Sequence, residues 1–350
     1  MKIDGLLLII ARFLGSCDNY AAMNTQSISL DQIYSPILGD LPKAEERILE
    51  ILKTPNELSS EVIRYFFKAK GKFLRPALCL LGAGVFGKIA DPIIHNAAAL
   101  EIFHSATLIH DDIIDSAYLR RNIPTINVVW NPQVAVLVGD YLHDKAIGAI
   151  FGLNNQHAIS KFLETAGLVC DGEILELNEK GNYCLREDQY ITIVERKTAV
   201  LLACCLETSA ILAGASLEEA AVLKRYGIYF GIAFQIIDDY LDFVGKENEF
   251  GKTLGADCAA GVLTLPLIRL LQVAREDKRS EIVRFIESGL EGKDLQQVIG
   301  YLKQTNALDY TMKKAREYAD RARLEISVLK DSPAKQSLNS LLDYILDRNR

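Results

Sequence analysis

From residue 29 onward the chain repeats one signal, segment after segment. Apolar residues recur at three- and four-residue spacing in 43–53, 58–69, 76–86, 92–110, 133–151, 156–178, 187–213, 217–243, 264–274, 280–288, 294–305 and 307–328. That spacing lines one face of a helix, whereas the period-two alternation of a half-buried strand is rare here. Most of the nine prolines fall between these segments, as at Pro55, Pro92, Pro124 and Pro132. No polar linker divides the chain, so residues 29–350 are predicted to form one all-α domain, a single large helical bundle with its apolar faces inward. At 49% hydrophobic residues, the chain can bury a sizeable core.

The remaining bulk features narrow the function classes. A net charge of −7 gives no basic footprint for nucleic acid. Cysteines stand at 17, 79, 170, 184, 204, 205 and 258, an odd number without a CxxC pair. They read as reduced thiols of a cytoplasmic protein, with neither a disulfide framework nor a zinc site. Residues 1–28 stand apart from the rest. MKIDGLLLIIARFLGSC holds an apolar run too short to span a bilayer, with Asp4 and Arg12 around it. An upstream extension with the start at Met23, a peripheral helix and a signal sequence are the three readings open for it.

Opposed charge is concentrated in HDDIIDSAYLRR, residues 110–121. At helical spacing Asp111 and Asp115 share a face one turn apart, where like charges repel unless a cation sits between them. The same D-D-x-x-D spacing returns as Asp238, Asp239 and Asp242, again after an apolar run, Tyr226 to Ile237. One such cluster is as well explained as a solvated helix end. Two at identical spacing are harder to explain that way, since acids near a helix C-terminus also oppose its dipole. Carboxylates are hard ligands, and Mg²⁺ takes a few of them, keeps waters and completes its shell with substrate phosphate. Two facing clusters can therefore hold a diphosphate through metal.

Cations accompany the acids. Arg120 and Arg121 follow the first cluster, and Gly71-Lys72-Phe73-Leu74-Arg75-Pro76 opens an apolar helix. His104 lies on the run leading to Asp111, Lys197-Thr198 interrupts another helix, and Lys252 follows the second cluster. Singly each has a bland reading: solvated loop arginines, a core histidine. Together they suit a site for two diphosphates, one bound through metal and one directly by Lys and Arg.

These residues resemble the trans-isoprenyl diphosphate synthases (polyprenyl synthetases), in particular the long-chain octaprenyl and heptaprenyl type. The resemblance runs from about residue 40 to the end. Its carriers are GKFLRP (71–76), LEIFHSATLIHDDIIDSAYLRR (100–121), VGDYL (138–142), GEILEL (172–177), ERKTAVL (195–201), GIAFQIIDDYLD (231–242) and GKTLGAD (251–257). It implies an isoprenoid synthase fold, an all-α bundle around a deep apolar tunnel, built as a homodimer. An allylic diphosphate would bind between the clusters through about three Mg²⁺ ions, with Asp111, Asp115 and Asp238 as ligands and Asp112, Asp239 and Asp242 in support. By the same resemblance Lys197, Thr198, Gln235, Lys252 and Arg120 hold the allylic diphosphate. Lys72, Arg75, His104 and Arg121 hold isopentenyl diphosphate. Ionisation of the allylic C–O bond, attack by the double bond of isopentenyl diphosphate and loss of a proton to the released diphosphate complete the reaction, with apolar walls keeping water from the cation. A long polyprenyl product would partition to a membrane.

The chain departs from the family pattern at four places. It has AKGKFLRP where GGKRxRP is usual, Asn122 where Gly follows LRR, and Glu176 for the Gln of GExxQ. Val262 stands in place of the lysine of EGKxTLP. Product length by this resemblance is gated one turn below Asp111, at Ala106 and Thr107, both small. Phe103 lies eight residues before Asp111, about 12 Å lower at 1.5 Å per residue, as tunnel floor or as core. The expected product is roughly C30 to C50, an expectation resting on family analogy. The alternatives are a C20 geranylgeranyl diphosphate synthase and a non-catalytic or regulatory subunit of a heteromeric synthase. A terpene cyclase is disfavoured by the full second cluster and GKxxRP.

Overall fold

The protein is described from a computed structural model covering residues 29–69, 71–87, 89–244, 255, 261–290 and 292–348. Residues 1–28 and Lys252, each the subject of an expectation above, lie outside it. The expected helices are present. In chain order α1 is Leu41–Ile51, α2 Glu57–Lys68, α3 Leu74–Gly84, α4 Asp91–Ile114, α5 Pro132–Gly152, α6 Gln156–Glu179 and α7 Glu187–Val194. After these come α8 Val200–Leu212, α9 Leu217–Val244, α10 Leu265–Val273, α11 Glu276–Glu287, α12 Gly292–Gln304, α13 Ala307–Ile326 and α14 Pro333–Leu346.

Patterning sorts these helices into layers. In α8 every residue from Val200 to Ala210 is buried, and in α3 every residue from Pro76 to Ala83. A helix apolar all round belongs at the centre. The two pack on each other, α4 lies along α5, and α9 runs between α8 and α13. The outer helices α1, α2 and α12 keep a polar face. α9 is long and apolar enough to cross a membrane by length and composition, but most of it is buried among the other helices.

The apolar interior falls into two clusters. The first gathers α3, α4, α5 and α8 and includes Phe103, Ala106 and Ile109 below the first aspartates. The second gathers the end of α9 (Ile236, Ile237, Leu241, Phe243) with α10, α11 and α12. Ile228, Tyr318 and Leu346 pack against both. The first aspartates thus rest on the first block, while the helix that carries the second aspartates joins both blocks.

Three local features differ from the sequence reading. Residues 119–124 form a small hairpin, Leu119 opposite Pro124 and Arg120 opposite Ile123. Arg121 and Asn122 at its tip both have positive φ, 50° and 63°. That is the signature of a two-residue type I′ turn, and Asn tolerates the left-handed region, which is how Asn122 serves where the family has Gly. Next, the long helix over 187–212 is broken by a wide turn, Glu195–Ala199, in which the Val200 amide donates five residues back to the Glu195 carbonyl. Finally, the periodicity reading stopped at 328, yet α14 follows. Ser332 caps it by accepting from the Lys335 amide, and Pro333 sits in its first turn.

Candidate active site

Asp111 and Asp112 lie in the last turn of α4, and Asp115 closes it with its amide on the Asp111 carbonyl. The helix thus continues one turn past His110, where the apolar run ends. Asp112 points into the protein at 4% exposure. The Arg120 guanidinium grips it with Nε at 2.8 and 2.9 Å from its two oxygens. So Arg120, expected on the allylic diphosphate, here anchors the hairpin to the cluster. Asp111 faces the other way. Burial, then the Glu173 carboxylate of α6, push its carboxyl up to about 7, while Lys197 and Arg120 oppose the shift.

The second cluster lies wholly within α9. Asp239 is 3% exposed. It accepts a hydrogen bond from the Tyr190 hydroxyl at 2.5 Å and one from the Gln235 amide at 2.9 Å. Gln235 in turn accepts from the Thr198 hydroxyl at 3.0 Å. A chain of neutral donors therefore links the wide turn to the middle aspartate. Asp238 accepts from Arg348, near the C-terminus, at 2.6 Å.

The wide turn aims Lys197 at α6. Its ammonium pairs with Glu173 at 2.9 Å and with Glu176. Burial alone would lower the Lys197 pKa, but the two carboxylates outweigh it and hold the ammonium above its ordinary value. Burial raises Glu176 in turn, against the pull of Lys197. The turn is admitted by two glycines. A Cβ on Gly172 would stand 2.5 Å from the Lys197 backbone nitrogen, and one on Gly231 2.5 Å from the Ala199 Cα. No such contact is tolerated.

A second group of cations collects on the α3 side. Arg75, His104, Arg120 and Arg121 lie close enough to perturb one another, and the half-buried Glu101 carboxylate lies near Arg75 and Arg121. Burial and then the three arginines hold the His104 imidazole well below its ordinary value. Arg121 donates to the Ala69 carbonyl at 2.8 Å and lies flat on Gly71, where a Cβ would meet it at 2.7 Å. Lys72 is exposed and turns onto the Tyr344 ring of α14, 5.6 Å from its centroid.

Of the length-gating residues, Ala106 is buried and Thr107 half-buried, its hydroxyl bonded to the His104 carbonyl. Phe103 sits edge-on to Phe162 at 5.2 Å and beside His143 at 5.4 Å. A cavity of about 310 Å³ opens on the opposite face of α4, lined by Phe66, Phe67, Leu108, Arg120 and Arg121 among others, and not by these three. The sequence reading passed over five participants, one of them Tyr190, which anchors Asp239. Glu101, Glu173 and Glu176 lay inside quoted motifs but were not assigned, although Glu101, Leu108 and Asp112 recur at helical spacing. Arg348 had a weaker signal, one of two arginines beyond an unassigned helix.

The donor set can be tested against Mg²⁺. Among the described residues no three metal-binding side chains converge on one point. Mg²⁺ takes one or two carboxylates and completes its shell with phosphate and water, and Asp111, Asp115 and Asp238 are hard donors of that kind. Asp111, raised by burial and then by the Glu173 carboxylate, is a group that a divalent cation would relieve.

Comparison with known proteins supports one family. Its sequence model, described as polyprenyl synthetase, matches residues 56–302. An all-trans-nonaprenyl-diphosphate synthase (geranyl-diphosphate specific) of Rhodobacter capsulatus is 37% identical over 90% of this chain and 97% of its own length. A short chain isoprenyl diphosphate synthase of Methanothermobacter thermautotrophicus is 33% identical over 87% of this chain and 95% of its own. The crystal structure of a decaprenyl diphosphate synthase from Rhodobacter capsulatus superposes with a TM-score of 0.87 at 33% identity, over 92% of this chain and all of that one.

Proposed function

The chain belongs to the polyprenyl synthetase family, and from that premise we propose that it extends an allylic diphosphate with isopentenyl diphosphate to a long all-trans polyprenyl diphosphate. The observation that carries the proposal is the pairing of the two D-D-x-x-D clusters across the Lys197 turn, with Asp111 short of positive charge. The family is Mg²⁺-dependent in general. Here Asp111, Asp115 and Asp238 would hold about three ions, which when bound neutralise the departing diphosphate.

The chain's own residues do the rest. Lys197, released from Glu173 and Glu176, holds an oxygen of the allylic diphosphate, beside Thr198 and Gln235. Tyr190 and Gln235 fix Asp239 and so fix the angle at which Asp238 is presented. Arg75, Arg121 and His104 orient isopentenyl diphosphate, with Lys72 closing the outer side. The apolar walls below Asp111 exclude water from the allylic cation. The proton lost at the end goes to an oxygen of the released diphosphate. No protein nucleophile is required.

The growing chain descends past Thr107 and Ala106, both small, so the reading is a product of roughly C30 to C50 by family analogy. The catalytic domain extends past the matched 56–302 toward both ends of 29–350, since the Tyr34 hydroxyl bonds the Lys72 carbonyl and Arg348 reaches Asp238. Exposed apolar side chains on α5 and α6 (Val136, Leu137, Phe151, Ile174, Leu177) suit a homodimer face, to be checked by sedimentation. On this reading the protein works in the cytoplasm, where its charged substrates dissolve, and delivers an apolar product to a membrane.

The test is incubation of the protein with labelled isopentenyl diphosphate, Mg²⁺, and farnesyl or geranylgeranyl diphosphate in turn, with products sized after dephosphorylation. A ladder ending at C30 or beyond is expected. An end point at C20 would overturn the long-chain reading. No product with any primer would favour a regulatory or obligate-partner subunit.

A further inference from the structure

The last described residues after α14 reach the second aspartate cluster. α14 finishes at Leu346, whose side chain packs against both apolar clusters, and two residues later Arg348 turns inward. Its side chain is 13% exposed, its Nη1 lies 2.6 Å from an Asp238 oxygen, and its guanidinium sits 5.4 Å from the Phe234 ring centroid. Its Nε is buried without a hydrogen-bond partner. A guanidinium in that position is well held by charge and by ring, but one of its donors goes unused. The unused donor leaves the guanidinium one hydrogen bond short of the set it can make.

We propose that Arg348 is the exchangeable counter-ion of the second cluster. It occupies Asp238 while the site is empty and is displaced when metal and diphosphate arrive, releasing the last turn of α14. The inference rests on the reading of Asp238 as a metal ligand. Its physical basis is exclusion. A cation within bonding distance of that oxygen and a guanidinium donating to it at 2.6 Å cannot share it, because the two positive charges would be pressed together in a partly buried site. Breaking the pair is therefore subtracted from metal affinity, and by linkage metal binding loosens Arg348 to the same degree. A carboxylate-bound arginine thus guards the cluster against bare solvent and against metal without diphosphate. A ligand that brings its own anion offsets the charge of the arriving cation, and the broken Arg348–Asp238 pair remains as the cost.

The test uses the full-length protein, with Mg²⁺ plus inorganic pyrophosphate as the probe, followed by calorimetry. Arg348→Gln is expected to bind the probe about three- to tenfold tighter than wild type, with Arg348→Lys between them, and the gap should shrink with added salt. In wild type, amide hydrogen exchange in 341–348 should speed up on adding the probe, which a merely structural Arg348 would not produce. Equal or weaker binding by Arg348→Gln, or unchanged exchange, overturns the proposal. Asp238→Asn separates the two readings. If it abolishes probe binding, the metal-ligand assignment stands whatever Arg348 does; if it binds like wild type, that assignment falls and this inference with it.

Discussion

The two aspartate clusters have the same spacing and the same middle residue turned inward, yet they are secured in different ways. Asp112 is held by a charged partner, Arg120, carried on a two-residue hairpin. Asp239 is held by neutral donors, Tyr190 and Gln235, tied through Thr198 to the wide turn. Beneath the first cluster the helix offers Thr107 and Ala106, then Phe103. Beneath the second, Phe234, Phe230 and Tyr226 stack in a column. A repeated motif therefore does not mean repeated roles. The first cluster has slender residues below it and suits the descending product, whereas the second stands on a filled aromatic post.

Activity provides the largest contrast to test. Asp111→Ala and Asp238→Ala should each lower turnover by on the order of 10³-fold or more, while circular dichroism shows an unchanged fold. Near-normal turnover in either would remove that aspartate as a metal ligand and break the symmetry of the pair.

Stability should separate the two middle aspartates. Asp112→Ala leaves Arg120 facing a vacated, buried position and should cost about 3 kcal/mol in urea unfolding. Asp239→Asn keeps a polar group beside Tyr190 and Gln235 and should cost about 1 kcal/mol. Equal losses would show that the charged and neutral anchors are equivalent.

A pH series isolates Asp111. Its pKa in the fold is raised to about 7, so between roughly pH 4 and 7 the folded state binds a proton that the unfolded chain has released. Metal-free protein should therefore lose stability as pH rises through that window. Asp111→Asn should flatten the slope and Asp238→Asn should leave it. Metal affinity should move the other way, tightening as Asp111 ionises.

The smallest expected change is in product size. Thr107→Phe should shorten the products, whereas Phe234→Ala should leave their length unaltered. Phe103→Ala should lengthen them if Phe103 is the floor. Its packing on Phe162 and His143 instead favours a core role, with a cost of about 3–5 kcal/mol and no change in length.

Much of this was legible in the chain because its signals are periodic. A helix buries one face or all of them, and residues at three- and four-residue spacing record which. The helices over 91–114, 200–212 and 217–244 could be read that way, and both aspartate clusters with them. What escaped the reading depends on contacts between distant segments. The hairpin at 119–124 rests on two left-handed residues, a property that Asn122 permits without announcing. Glu173 and Glu176 gain their significance from Lys197, which reaches them only once α6 and the turn after α7 are packed together. Arg348 lies 110 residues from Asp238, and no local pattern links them.

The turn at Glu195–Ala199 has a further consequence, one of counting. A regular helix keeps its residues in phase, each advancing about 100° around the axis, so position in the sequence fixes direction in space. One widened turn advances the count without advancing the phase. Residues upstream and downstream then lie on one continuous rod but obey different calendars. Tyr190 is set by the first and Val200 by the second, while Lys197 and Thr198 fall in the interval between them. Deleting one residue there would restore a single calendar and a more regular rod, and would turn the lysine and threonine away from their partners. The chain is tuned to be out of step with itself at one place, and its chemistry depends on that offset.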